Sequence, residues 1–112
     1  QRLAQLIGRG KANEIIFTAG MLKADEALQW GLVNAVVEQA DLLATCETMA
    51  QKMLANSPMA IAAAIRCVNA GFTEGVNGFE VEIEEFGKCF GTPDFKEGTT
   101  AFLEKRKPNF RA

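Results

Sequence analysis

Apolar positions recur along this chain at one repeated interval. Leu42, Cys46, Met49 and Met53 stand 4, 3 and 4 residues apart, and Ile61, Ile65, Val68, Phe72 and then Phe79, Ile83, Phe86, Phe90 repeat the pattern. Side chains at such intervals share one face of a helix with about 3.6 residues per turn, so three amphipathic helices are predicted. Their boundaries agree with the pattern. Ser57-Pro58 places an N-cap serine before a proline at the first helical position, where the missing N–H costs nothing. Thr92-Pro93 repeats the device and opens a last helix, expected from about Pro93 to Lys107, with Phe95 and Phe102 two turns apart and Gly98 between them. Gly71, Gly75 and Gly78 punctuate the junction between the second and third helices.

The first 40 residues are shorter pieces: a turn or two over Arg2 to Ile7, another over Lys11 to Phe17, and a helix from about Ala24 to Trp30. "GLVNAVVE" then gives a brief apolar stretch, Leu32 to Val37, compatible with an extended segment. The whole reads as all-α, one domain over residues 1–112, with short connections, no internal repeat and no dividing linker.

Composition narrows the class. An apolar share of 48% with 23% charged residues is ordinary for a globular protein, and 112 residues are enough to bury a core. No apolar run approaches the roughly 18 residues of a membrane span, and no signal-peptide pattern is present, so a soluble cytoplasmic protein is expected. A net charge of −2 argues against nucleic-acid binding. Charge is nonetheless segregated. Glu74, Glu80, Glu82, Glu84 and Glu85 are unrelieved by any base, whereas Lys96, Lys105, Arg106, Lys107 and Arg111 outweigh Asp94, Glu97 and Glu104 at the end. Any anion met there should be small.

Cys46, Cys67 and Cys89 are widely spaced and there is no histidine, which excludes the usual zinc-ligand spacing and any imidazole base. Each cysteine falls in a helical pattern and reads as a small buried hydrophobe. "GRGK", residues 8 to 11, lacks the spacing of a phosphate loop and has no strand before it, so turns and helix ends explain it better. The glutamates at 80, 82, 84 and 85 are expected on a solvated face opposite the Phe79, Ile83, Phe86, Phe90 stripe rather than as paired acids. Near the end, "AFLEKRKPNF" sets three cations after a helix: either they oppose the negative pole of the helix dipole, or they meet a phosphate. Residue chemistry alone yields a helical domain without an active site.

Four stretches carry a resemblance. "QRLAQLIGRGKANEIIFTAG", "KADEALQWGLVNAVV", "MAQKMLANSPMAIAAAI" followed by "VNAGF", and "FGKCFGTPDFKEGTTAFLEKRKPNF" together resemble, in order and spacing over residues 1 to 110, the crotonase superfamily and within it the enoyl-CoA hydratases. Ala19, where glycine is usual, and Lys23, where a serine or threonine cap is usual, depart from the pattern at a turn and a cap. The resemblance implies a C-terminal helical (trimerisation) domain of the crotonase fold, lacking the β/α spiral core, the oxyanion-hole amides and the two catalytic glutamates. On that reading the chain is a fragment, inactive and prone to self-association when alone, and it contains no catalytic residue.

For the parent enzyme the resemblance implies reversible hydration of a 2-enoyl-CoA thioester, with no metal and no cofactor beyond the coenzyme A of the substrate. Lys105 is expected to contact the nucleotide end of CoA, with Phe102 as apolar cover and Phe86 lining the same pocket. Arg106 and Lys107 are left to solvation and the helix dipole. A homo-oligomer, trimer or hexamer, is expected, with Gln1, Arg2 and the acidic helix around Glu80 to Glu85 at subunit contacts. Two alternatives stand beside this reading: the same region of an enoyl-CoA isomerase or related dehydratase, and a free-standing helical interaction module.

Overall fold

The computed structural model describes residues 1–110, so Arg111, counted above among the terminal bases, lies outside the described residues. These are helical, with no strand among them: α1 (Arg2–Ile7), α2 (Arg9–Thr18), α3 (Ala24–Gln29), a 3-10 turn (Gln39–Asp41), α4 (Leu42–Leu54), α5 (Pro58–Ala70), α6 (Gly78–Cys89) and α7 (Pro93–Leu103). None of these helices is long and apolar enough to cross a membrane. They form two compact units, Gln1–Thr45 and Cys46 onward, the division falling inside α4.

In the first unit α1 packs on α2, and Gly8, at φ 81°, turns the chain between them. Ala19 closes α2 in the left-handed conformation (φ 51°), and the N–H groups of Ala19 and Gly20 donate to the carbonyls of Ile16 and Ile15. That is a Schellman end built without the usual glycine. Lys23 precedes α3 and its ammonium cannot accept an N–H, but the Glu26 carboxylate accepts from the Lys23 backbone N–H at 3.1 Å, half of a capping box. Leu32 to Val37 is turn and irregular backbone rather than an extended segment.

In the second unit α5 and α6 form the main packed pair. They run antiparallel, since the α6 start at Gly78 lies against Gly71 while Arg66 reaches Glu85 further along. The contact is made by small residues: Ala63 and Ala70 of α5 are buried, and a Cβ placed on Gly78 would stand 3.2 Å from the Gly71 Cα and N. Helices that approach so closely leave no room for bulky side chains between them. The predicted apolar stripes therefore face outward, with Phe79 79% and Ile83 72% exposed.

Glu85 takes the opposite course. In place of the solvated position expected for it, it is only 7% exposed, because its side of α6 is the one turned toward α5. Its carboxylate accepts from Arg66 Nε at 2.8 Å and again from Arg66 Nη2, and from Lys88 Nζ at 2.8 Å. These partners meet the cost of removing a charge from water. Among the cysteines, Cys46 is exposed and Cys67 and Cys89 are partly exposed, so none is the fully buried hydrophobe expected.

The N-termini of α5 and α7 are tied together. Ser57 Oγ accepts from the Ala60 N–H at 3.0 Å and donates to Asp94 Oδ2 at 2.5 Å, while Thr92 Oγ1 caps α7 by accepting from the Phe95 N–H at 3.1 Å.

Candidate functional site

The basic end of the chain is more ordered than a helix dissolving into solvent. The expected helix to Lys107 stops at Leu103, because Lys105 adopts the left-handed conformation (φ 54°). The Lys105 N–H donates to the Phe102 carbonyl at 3.2 Å and the Arg106 N–H to the Ala101 carbonyl at 3.0 Å, the two bonds of a Schellman end. A lysine in this conformation costs about 1 kcal/mol or more relative to glycine, so something else must hold the turn.

Arg106 supplies that hold. Its guanidinium donates to both oxygens of Glu97, Nη1 to Oε1 at 2.6 Å and Nη2 to Oε2 at 3.0 Å, and its Nε donates to Glu104 Oε2 at 2.6 Å. The Asn109 N–H also donates to Glu97 Oε1 at 2.7 Å, so one carboxylate on α7 fastens the chain that follows the helix. Hydrogen bonds from Arg106 and then from the Asn109 N–H pull the Glu97 carboxyl down to about 2 from its ordinary 4.5. The same partnership with Glu97, and then the bond to Glu104, pushes the Arg106 guanidinium further up. The Phe110 ring lies against Gly98, where an added Cβ would be 3.5 Å from it.

Arg106 is thus an integral part of the turn, not a solvated cation as expected. Lys105 and Lys107, by contrast, have no ion-pair partner among the described residues. Phe102, one turn before Lys105, is 83% exposed and takes no part in a core. Phe86 lies on α6 beside a groove of about 530 Å³ between α5 and α6, lined also by Ala63, Cys67, Val68 and Cys89. Its ring meets Phe90 edge-on at 5.0 Å, and Phe90 meets Phe95 of α7 at 4.7 Å. An aromatic path therefore leads from Phe86 to α7, the helix that also carries Phe102.

Gln1 and Arg2 are exposed at the start of α1. Lys11, from "GRGK", is committed to Glu14 at 2.9 Å and to the Trp30 ring at 4.1 Å, as a structural rather than phosphate-binding residue. The Glu97–Arg106 pair has no signature in the sequence: nine residues apart and beyond a helix end, the two share no helical face.

Comparison with known proteins bears on what this arrangement serves. A family model described as enoyl-CoA hydratase/isomerase matches residues 1–112. The chain is 45% identical over 108 residues to the short-chain-enoyl-CoA hydratase of Clostridium acetobutylicum, covering 96% of this chain and 41% of that protein. It is 41% identical over 111 residues to the crotonyl-CoA hydratase of Syntrophomonas wolfei, covering 98% and 43%. The crystal structure of an enoyl-CoA hydratase from Bacillus anthracis superposes on 99% of this chain and 43% of its own with a TM-score of 0.90, at 35% identity. The chain thus spans about two fifths of the length of these curated relatives.

These matches correct one expectation, that of a C-terminal helical trimerisation domain set apart from the spiral core. The family match takes in every residue from 1 to 112, and the structural likeness covers 99% of the chain, so the segment lies within the family's own fold and is not a C-terminal domain separate from it.

Proposed function

The chain belongs to the enoyl-CoA hydratase/isomerase family, and we propose that the enzyme it forms part of adds water reversibly across the 2,3 double bond of a 2-enoyl-CoA thioester to give the 3-hydroxyacyl-CoA. The observation that carries this reading is the likeness, over nearly the whole chain, to two proteins named as hydratases. The same likeness favours a hydratase over an isomerase.

In such a reaction the thioester oxygen gains negative charge as an enolate develops, and preorganised amide donors stabilise it. One glutamate activates the water and another delivers a proton to the α carbon. We assign those groups to other segments of the enzyme. Two of the less exposed carboxylates of this chain, Glu85 and Glu97, suit neither role, because Glu85 is held ionised by Arg66 and Lys88, and Glu97 lies at about 2. A carboxylate with so little proton affinity is a weak general base near neutral pH.

The role we assign to this chain is to bind CoA. Lys105, a cation without an ion-pair partner among the described residues, meets a phosphate at the nucleotide end, and Phe102 and Phe86 give apolar cover. The outward apolar faces of α5 and α6, with Gln1 and Arg2, pack against the rest of a homo-oligomer, a trimer or hexamer, and the chain alone is inactive. Crotonyl-CoA serves as the probe: the full-length protein should hydrate it and residues 1–112 alone should not. Hydration by neither, or by the isolated chain, would contradict the proposal.

A further inference from the structure

Lys105 sits in a backbone conformation that lysine resists, at the tip of a turn whose fastening lies elsewhere. A side chain with four rotatable bonds gains little from a phosphate contact unless the backbone carrying it is fixed, because the ordering cost falls on the same interaction. Beyond the two Schellman bonds and the Arg106–Glu104 contact, the side-chain bonds that fasten this turn converge on Glu97. Its two oxygens receive the Arg106 fork, and one of them also receives the Asn109 N–H. The residues immediately after Lys105 are thereby folded back along α7, and the Phe110 ring closes over Gly98.

From this geometry we infer that Glu97 and Arg106 are positioning residues for nucleotide recognition: their bidentate pair holds Lys105 in its left-handed turn so that the ammonium is presented to the CoA phosphates. The pair touches no substrate itself. Arg106 is unavailable as a second phosphate ligand because both edges of its guanidinium are taken by Glu97 and Glu104. The turn thus sets Lys105 one helical turn from Phe102 while Arg106 is withdrawn from phosphate binding. Arginine suits the clamp because its planar fork matches a carboxylate, a geometry that lysine cannot reproduce.

This inference rests on the CoA-contact reading of Lys105, and a double-mutant cycle separates the two. In the full-length protein, KM is measured for crotonyl-CoA and for the crotonyl thioester of pantetheine, which lacks the nucleotide, and the ratio of the two reports nucleotide recognition. Lys105→Ala should lower the preference for the CoA substrate about fivefold, the scale of one solvent-exposed charge contact. Glu97→Gln should lower it about twofold to fivefold in the Lys105 protein and not at all once Lys105 is alanine. Arg106→Lys, which keeps the charge and loses the fork, should act in the same direction and provides a second test should Glu97→Gln fold poorly.

No effect of Lys105→Ala on the ratio would remove the contact reading and this inference with it. An effect of Lys105→Ala with none from Glu97→Gln or Arg106→Lys would leave the contact standing and overturn the positioning role. An undiminished Glu97→Gln effect in the Lys105→Ala background would also overturn it, since Glu97 would then act by another route.

Discussion

Gly78→Ala sets two effects of opposite sign against each other. Replacing a helical glycine by alanine ordinarily stabilises by about 0.5–1 kcal/mol, because the unfolded chain has less conformational freedom to lose. At Gly78 the new methyl would stand 3.2 Å from the Cα and N of Gly71 and 3.5 Å from the carbonyl carbon of Ala70. Carbon atoms in contact prefer about 3.5–4.0 Å. All three neighbours are backbone, so no rotamer change relieves the clash and the two helices must separate by a few tenths of an ångström. Overpacking of this kind costs about 1–3 kcal/mol, which outweighs the propensity gain. The expected net result is destabilisation by about 1 kcal/mol or more.

Gly87→Ala in the same helix supplies the control, since an added Cβ there meets nothing within 4 Å. It should stabilise by about 0.5–1 kcal/mol. Equilibrium urea unfolding followed by far-ultraviolet circular dichroism should therefore place the two midpoints on opposite sides of the parent's, with little change in the denaturant slope. If Gly78→Ala proved as stable as Gly87→Ala, the close approach of α5 and α6 through their glycines would be refuted.

Three further outcomes are expected. Ser57→Ala removes both the acceptor for the Ala60 N–H and the donor to Asp94, and should cost about 2 kcal/mol in the same unfolding assay; a neutral result would contradict the tie between α5 and α7. Ala19→Gly relieves a left-handed alanine and should stabilise by about 0.5–1 kcal/mol, a gain that vanishes if the α2 end is not left-handed. Because the Glu97 carboxyl is depressed from 4.5 to about 2 by Arg106 and the Asn109 N–H, its contribution is fully present above about pH 4.5 and is lost as pH falls through about 2. Hydrogen exchange at the Asn109 amide, corrected for its intrinsic pH dependence, should lose protection over that window, whereas loss already near pH 5 would contradict the clamp.

The helices are legible in the sequence and their packing is not. Spacings of 3 and 4 locate α4, α5 and α6, and the Ser57-Pro58 and Thr92-Pro93 pairs mark where α5 and α7 begin. The same spacings point to Ile65, Val68, Phe79, Ile83 and Phe86 as the packed faces. Within this chain the contact falls instead on Ala63, Ala70, Gly71, Gly78 and the charged Glu85, because small residues permit a helix approach that hydrophobicity alone does not disclose. At the chain's end, "LEKRKP" suggests a helix running to the proline. A non-glycine left-handed residue has no local signature, so the stop at Leu103 and the clamp on Glu97 emerge only when residues nine apart meet in space. Lys105 and Phe102 are singled out by resemblance, and the structure adds the left-handed backbone of Lys105 and the exposure of Phe102 outside any core.

The most direct test is crotonyl-CoA hydration by the full-length protein, followed by loss of the enoyl-thioester absorbance, with and without Lys105→Ala. We expect hydration by the parent and, in the variant, a KM raised about fivefold with kcat little changed. Absence of hydration, or an unchanged KM in the Lys105→Ala protein, would contradict the account.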